Sequence, residues 1–454
     1  MSEREFDVIV IGAGPAGEVA AGTLADRGSK QVAIVEQELV GGECSFYACM
    51  PSKALLRPQE LLDETQRVPG VGAGASLDVE AVLDRRDEVI HRLDDSGQLP
   101  WLVDKGIELI RGHARLAGER RVEVGDDTLL ARDAVIIATG SDSAMPPIPG
   151  LDQVGAWTNR EATTSREVPG HLVILGGGVV GVEMGQAWHS LGAQVTIVEA
   201  MDRLIPAEEQ FAGELLERVF SELGIETRLQ TKAVSVSRDG EQVEVALDDG
   251  ARARGDRLLV ALGRRPRTQD LGLESVGLGP GRPVDVDDHM RVPGNDWLWA
   301  IGDVNGRALL THMGKYQGRL AASAILGDPV ELCFDGRRSP RVIFTDPQVA
   351  AVGHTQASAE QAGISVRSVD LETSGTAGAS FVGRGAPGTT RFVVDADREV
   401  LVGVTFMGAE VADFLQAATV AIAGEVPVAR LAHAVAPFPT RSELWLKFVE
   451  AYRG

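Results

Sequence analysis

Cysteine is scarce in this chain, with three in 454 residues. That excludes a disulfide-stapled secreted scaffold, which is dense in cysteine. No run of about 18 apolar residues occurs, so the sequence offers no membrane span. Positive charge is outweighed, and the net charge of −22 argues against nucleic acid and anionic membrane surfaces as partners. Beyond one close cysteine pair there is no Cys/His cluster with metal-ligand spacing, so no metal is expected. The strand pattern Phe6–Ile11 starts almost at once and leaves no room for a signal peptide, which points to a cytoplasmic protein.

Glycine, by contrast, is abundant at 53 residues, and it gathers at strand-to-helix turns. Two such turns recur about 165 residues apart, each inside the same unit. The first runs through an apolar strand, Gly12, Gly14 and Gly17, a helix pattern, and the strand Gln31–Val35 ending in Glu36. The second runs through Leu172–Leu175, Gly176, Gly178 and Gly181, a helix pattern, and Gln194–Val198 ending in Glu199. Glycines at those positions let the backbone approach a pyrophosphate at a helix N-terminus, and the closing acid accepts hydrogen bonds from ribose hydroxyls. The unit and its acid, present twice, predict two dinucleotide sites.

Cys44 and Cys49 follow the first unit, five positions apart. In a regular helix that spacing is a rise of about 7.5 Å, beyond the roughly 4.4–6.8 Å between Cα atoms that a disulfide needs. The pair can close only if the turn between them is distorted. The glycines before Cys44 and the Pro51-Ser52 after the pair suit the start of a helix, whose N-terminus favours a thiolate. Cys333 has no partner in sequence and reads as a buried small hydrophobe.

At this length two to four domains are expected. Gly-bounded apolar strands at Ala134–Gly140, Leu258–Arg264 and Trp299–Asp303 suit a mostly parallel buried sheet, and Pro146–Gly150 suits a linker. From about residue 336 the pattern becomes α+β, with strands at Arg341–Thr345, Arg391–Asp395 and Val400–Val404 and helices near 410–424 and 441–451. The fold class expected is α/β: two Rossmann-like dinucleotide-binding domains and an α+β C-terminal domain. The boundaries expected are 1–150 and 271–335 for the first dinucleotide domain, 151–270 for the second, and 336–454 for the last.

Cys44-x4-Cys49 followed by Pro51-Ser52-Lys53, the Ala300–Val304 segment and the Phe344–Gly353 segment together resemble the FAD-dependent pyridine nucleotide–disulfide oxidoreductases, end to end. The family includes dihydrolipoamide dehydrogenases and mercuric reductases. The resemblance implies a redox-active Cys44–Cys49 disulfide, with Cys49 facing the flavin and Cys44 exchanging with substrate. It implies that FAD is held by Gly12, Gly14, Gly17, Glu36, Gly42, Lys53, the Ala114 backbone, Thr139, Gly140 and Asp303. Thr311 and His312 would begin a helix aimed at the flavin. NAD(H), in preference to NADP(H), would be held by Gly176, Gly178, Gly181, Glu199, Ala233 and Gly263. Lys53 would pair with Glu183 near the flavin, and Glu443 would belong to the catalytic set. A homodimer would complete the site through its C-terminal domain.

Three positions depart from the family pattern. Glu43 precedes the first cysteine, where a carboxylate would oppose thiolate formation. Phe46, Tyr47 and Ala48 make the redox loop bulky and aromatic, suiting an apolar entrance. Phe438 stands where the family has its acid–base histidine, in Phe438-Pro439-Thr440-Arg441-Ser442-Glu443, and His433 lies five positions too early. Phenylalanine carries no proton. The leading expectation is therefore an NADH-dependent flavoprotein reductase with a small-molecule acceptor: a quinone, a metal ion or an unusual disulfide. The alternatives are dihydrolipoamide dehydrogenase within a multienzyme complex and a non-enzymatic flavin redox sensor.

Overall fold

The computed structural model describes residues 3–70 and 74–454. The chain divides into two units: Met1–Pro51, Asp87–Ala144 and Gly263–Gly336 form the first, and Ser52–Arg86, Met145–Leu262 and Arg337–Gly454 the second.

The first unit is built on one large sheet. Its strands lie in the order Glu108–Arg111, Val32–Glu36, Glu3–Ile11, Asp127–Ile137, Arg121–Val124, Ala114–Leu116, and Leu298–Ala300 pairs with Asp127–Ile137. The four apolar segments around Val8–Ile11, Val32–Val35, Ala134–Ile137 and Leu298–Ala300 run parallel in register. They are buried on both faces, which is why they read as continuous hydrophobic runs rather than alternating ones. Two helices, Pro15–Gly28 and Thr311–Ile325, pack closely because small residues meet: a Cβ on Gly318 would stand 2.7 Å from the Ala16 carbonyl oxygen.

The second unit holds a parallel sheet in the order Glu226–Arg228, Gln194–Val198, His171–Leu175, Arg257–Val260, beside a three-stranded antiparallel sheet, Ala233–Asp239, Gln242–Leu247 and Arg252–Gly255. It also holds a five-stranded antiparallel sheet in the order Arg341–Ile343, Gln348–Gly353, Val400–Gly408, Thr389–Asp395, Val366–Glu372. Phe392, Phe406 and Phe448 fill the core under that last sheet, with Phe392 stacked on Phe448 at 4.2 Å between ring centroids. The α/β reading with an α+β C-terminal part holds.

Two local expectations are corrected. The segment expected as one strand, Leu258–Arg264, ends at Val260, and Arg264–Pro266 turns away to pair antiparallel with Ser141–Ser143. The break sits at Gly263, whose φ of 111° only glycine tolerates easily. Cys333 is exposed, not buried: it lies past the helix Thr311–Ile325 in an irregular segment, where its N–H bonds Tyr316 Oη at 3.0 Å.

Candidate active site

The first glycine turn is set by close approach. A Cβ on Gly12 would lie 2.3 Å from the Ala138 carbonyl oxygen, and one on Gly17 would lie 2.0 Å from the Gly12 oxygen, so neither position admits a side chain. Gly14 faces open space and caps the helix Pro15–Gly28 without any side-chain bond, leaving the first N–H groups unpaired by a cap. Glu36 is fixed beside that turn: Ala13 N–H donates to Oε2 at 2.7 Å and Glu38 N–H to Oε1 at 2.8 Å. The second unit repeats the device. Gly176 and Gly181 would clash at 2.4 Å and 1.9 Å, Gly178 faces open space, and Glu199 takes N–H bonds from Gly177 at 2.6 Å and Met201 at 2.7 Å. An open cradle at an uncapped helix start, with a fixed acid, fits a dinucleotide pyrophosphate and ribose in both units.

Other expected residues gather around these turns. In the first unit a Cβ on Gly42 would meet Gly14 Cα at 2.9 Å. Gly112, two residues before Ala114, donates to the Glu36 carbonyl at 3.0 Å. Thr139 Oγ1 donates to the Arg267 carbonyl at 2.9 Å, and Gly140 accepts from Arg267 N–H at 3.0 Å. Ser141 Oγ donates to Asp303 at 2.5 Å, and burial pushes the Asp303 carboxyl above its usual range. In the second unit Thr231 N–H bonds the Glu199 carbonyl at 3.0 Å, which leaves Ala233 two residues on, at the start of its strand.

The turn between the cysteines is distorted, as a Cys-x4-Cys pair requires. A short helix, Gly42–Phe46, ends at Tyr47, whose φ of −132° is non-helical, and a new helix runs Cys49–Arg67. The side chains of Cys44 and Cys49 meet across this turn through a hydrogen bond. That bond, with burial and the Cys49 charge, raises the Cys44 thiol far above its ordinary range; Thr311 and Lys315 pull the other way. Cys49 Sγ lies 3.4 Å from Thr311 Oγ1, at the first residue of the helix Thr311–Ile325, and His312 follows in the same turn. A helix N-terminus there favours negative charge on Cys49.

The expectation for Glu43 is corrected. Its carboxylate is taken by Arg267 Nη2 at 3.1 Å and approached by Arg264 Nη2 at 4.0 Å, so the charge beside Cys44 is compensated. Arg267 is anchored by Asp142 at 2.6 Å, and Arg264 by Ser141 Oγ at 2.6 Å and by Asp303 at 3.6 Å. Sequence reasoning missed both arginines. An acid in a glycine turn asks for a cation, but nothing local says which of the many arginines supplies it. The aromatic entrance is corrected too: Phe46 is only 1% exposed and packs inward.

In the second unit Lys53 Nζ meets Glu183 Oε2 at 2.7 Å, and Phe344 N–H donates to Glu183 Oε1 at 2.9 Å. Glu183 is buried, so this is not a solvated surface pair. Lys53 also stands 4.7 Å from the centre of the Phe344 ring and lines a cavity of about 370 Å³ with Arg57, Glu60, Gln348 and Asp413. Phe438 is 77% exposed and His433 is exposed. Glu443 opens the helix Glu443–Arg453, its Oε2 shut from solvent without a hydrogen-bond partner. Among the described residues no group of acids, histidines or cysteines could hold a metal ion, and no helix is long and apolar enough to cross a membrane.

Comparison with known proteins agrees with this arrangement. Residues 6–322 match the pyridine nucleotide-disulphide oxidoreductase family, and residues 339–448 match its dimerisation domain. The chain is 34% identical to a dihydrolipoyl dehydrogenase of Thermus scotoductus over 464 residues, covering 99% of this chain and 97% of that one. It is 34% identical to a mercuric reductase of Streptomyces lividans over 453 residues, covering 96% and 94%. Among solved structures it resembles LpdA from Mycobacterium tuberculosis, with a TM-score of 0.87 at 27% identity over 100% of this chain and 99% of that one. The Cu(II) complex of the HOCl-induced flavoprotein disulfide reductase RclA from Escherichia coli has a TM-score of 0.85 at 25% identity, over 98% and 99%.

Proposed function

The chain belongs to the pyridine nucleotide-disulphide oxidoreductase family, enzymes that use FAD and NAD(P)H, and from that premise we propose an NADH-dependent flavoprotein reductase whose acceptor needs no proton from the C-terminal segment. A quinone fits that description best; a metal ion or an unusual disulfide shares it. Bound FAD supplies a two-electron carrier between nicotinamide and acceptor. The chain's own residues do the rest. Gly12, Gly14 and Gly17 admit the flavin pyrophosphate and Glu36 the ribose, while Gly176, Gly178, Gly181 and Glu199 do the same for NADH. Asp303 holds the ribityl chain. Lys53, fixed by Glu183, keeps a positive charge on the helix that carries Cys49. Cys49 lies against the N-terminus of the helix Thr311–Ile325, while its hydrogen bond and burial push the Cys44 thiol up.

The observation that carries the reading is Phe438, an apolar, exposed side chain in the position from which the family's proton shuttle works. The unpartnered Glu443 oxygen supports it, being an acid with no imidazole to orient. The dimerisation-domain match supports a homodimer, as do the exposed apolar residues Val420, Val435 and Leu446 in that part of the chain. A second reading, dihydrolipoamide dehydrogenase, is favoured by the 34% identity to such an enzyme.

One experiment separates the two: wild type and Phe438→His, each assayed with lipoamide and with a quinone. The proposal expects low wild-type lipoamide turnover that rises by about 10²-fold in the variant, the lower end of what acid–base help contributes. Quinone reduction should be unchanged. High wild-type lipoamide turnover would overturn it.

A further inference from the structure

Resting on the reading of Cys44 and Cys49 as a redox pair, we propose that the Glu43–Arg267 ion pair is a pin that holds Cys44 against Cys49 and so sets the dithiol–disulfide equilibrium of this chain. Glu43 and Arg267 are positioning residues and touch no reacting atom.

The turn that carries Cys44 is weakly held by its own backbone, and such a pin steadies it. Cys44 sits in a helix of only five residues, preceded by Gly41 and Gly42 at positive φ and followed by the break at Tyr47. Backbone hydrogen bonds within so short an element do little to fix a side chain in place. Backbone bonds also hold the start of the turn, Gly41 N–H to the Ala13 carbonyl at 2.8 Å and Gly42 N–H to the Leu39 carbonyl at 3.0 Å. Glu43 supplies the side-chain anchor, with its Oε1 3.1 Å from Arg267 Nη2, the two side chains 16% and 22% exposed. Arg267 is itself immobilised: Asp142 takes its Nε at 2.6 Å, and its backbone bonds Thr139 and Gly140 on the facing strand end. The anchor therefore reaches from the redox turn to the rigid parallel sheet through a partly buried, charge-assisted contact, the kind that holds geometry best. Arg264 ties the same acid toward Asp303 and Ser141, so the redox turn and the acid that holds the ribityl chain share one network.

The equilibrium in question is a thiol–disulfide exchange. With cyclic oxidised dithiothreitol as the probe, the Cys44–Cys49 S–S bond forms and the ring S–S bond of the probe breaks. The protein dithiol is oxidised, the probe is reduced, and the two thiol protons pass to the probe's sulfurs. The equilibrium constant follows the effective concentration of one thiol at the other, which a pin raises by narrowing the positions that Cys44 samples.

The test is anaerobic equilibration of the FAD-loaded enzyme, in a Cys333→Ser background, with reduced and oxidised dithiothreitol at pH 7. The free thiols are then trapped by alkylation and counted by mass spectrometry. Glu43→Gln and Arg267→Gln should each lower the constant for disulfide formation by about five- to tenfold, the latter about 30 mV for two electrons, with FAD content unchanged. Arg265→Gln, at the exposed neighbouring position, should stay within twofold of the parent. The reversed pair, Glu43→Arg with Arg267→Glu, should recover most of the loss. Should Arg267→Gln fail to fold, the near-isosteric Glu43→Gln decides alone. A constant unchanged within twofold, or raised, in Glu43→Gln overturns the proposal. Because no acceptor is involved, that result would leave the quinone reading standing.

Discussion

Lys53 Nζ and Glu183 Oε2 stand 2.7 Å apart, one on the helix Cys49–Arg67 and the other on Val179–Ser190. The acid is buried and the lysine about a third exposed, so the two ends of the pair are unequal. Removing the lysine strands a carboxylate that, among the described residues, retains the Phe344 N–H. Lys53→Met should therefore cost about 3 kcal/mol, the lower end for a broken buried pair because Lys53 is partly solvated. Lys53→Met with Glu183→Gln should recover more than half of it. Urea unfolding midpoints at constant slope measure both.

The Cys44 thiol is raised first by its hydrogen bond to Cys49, then by burial. Cys49→Ala removes the first cause, so the Cys44 thiolate fraction at pH 8 rises. Alkylation of Cys44 should speed up by about tenfold for each unit the thiol descends. The comparison is between reduced wild type and the variant, both in a Cys333→Ser background. Equal rates would mean that burial alone holds the proton.

Nucleotide choice is expected to rest on Glu199, which is held by two backbone N–H groups at the end of its strand. Arg203, a nearby cation that could greet a 2′-phosphate, is turned to Asp202 at 3.1 Å and to the Pro206 carbonyl at 3.0 Å. NADH should be preferred over NADPH by about tenfold or more in kcat/KM. Glu199→Ala should narrow that ratio, chiefly by improving NADPH. A wild-type preference for NADPH would mean that Arg203 turns round.

Glu18, in the first turn of the helix Pro15–Gly28, has its carboxyl pushed up to about 7 by burial, with Glu36 adding to it and Lys315 opposing. The folded chain thus keeps a proton that the unfolded chain releases near 4.5. Between those values the folded state binds more protons, so stability falls as pH rises from about 4.5 to 7 and then levels off. Glu18→Gln removes that loss. Its stability relative to wild type should grow by about 1–3 kcal/mol between pH 5 and pH 8, discounted because the side chain is only half-buried. Parallel denaturation curves at the two pH values, at matched FAD content, check the sign.

Much of this protein is legible in its amino-acid sequence. The parallel strands announce themselves because both faces are buried, so every residue in Val8–Ile11 or Leu172–Leu175 must be apolar. The glycine turns announce themselves because Gly12, Gly17, Gly176 and Gly181 have backbone oxygens where a Cβ would go. These are short-range demands, written within a few residues. The Lys53–Glu183 contact and the Phe438 departure both came from the resemblance.

Tertiary structure alone decided the partners. Glu43 and Arg267 are 224 positions apart, and Cys49 and Thr311 are 262 apart. No local pattern records which guanidinium or which helix end the fold brings to a given turn. The sequence by itself suggested a carboxylate opposing Cys44; the folded chain put an arginine on that carboxylate and left Cys49 to raise the thiol. Burial of isolated small residues is decided the same way. Cys333 is apolar enough to be inside, yet its segment follows the end of a helix and lies at the surface. Periodicity fixes elements because backbone geometry repeats over a few residues, whereas a contact between distant side chains depends on every element between them.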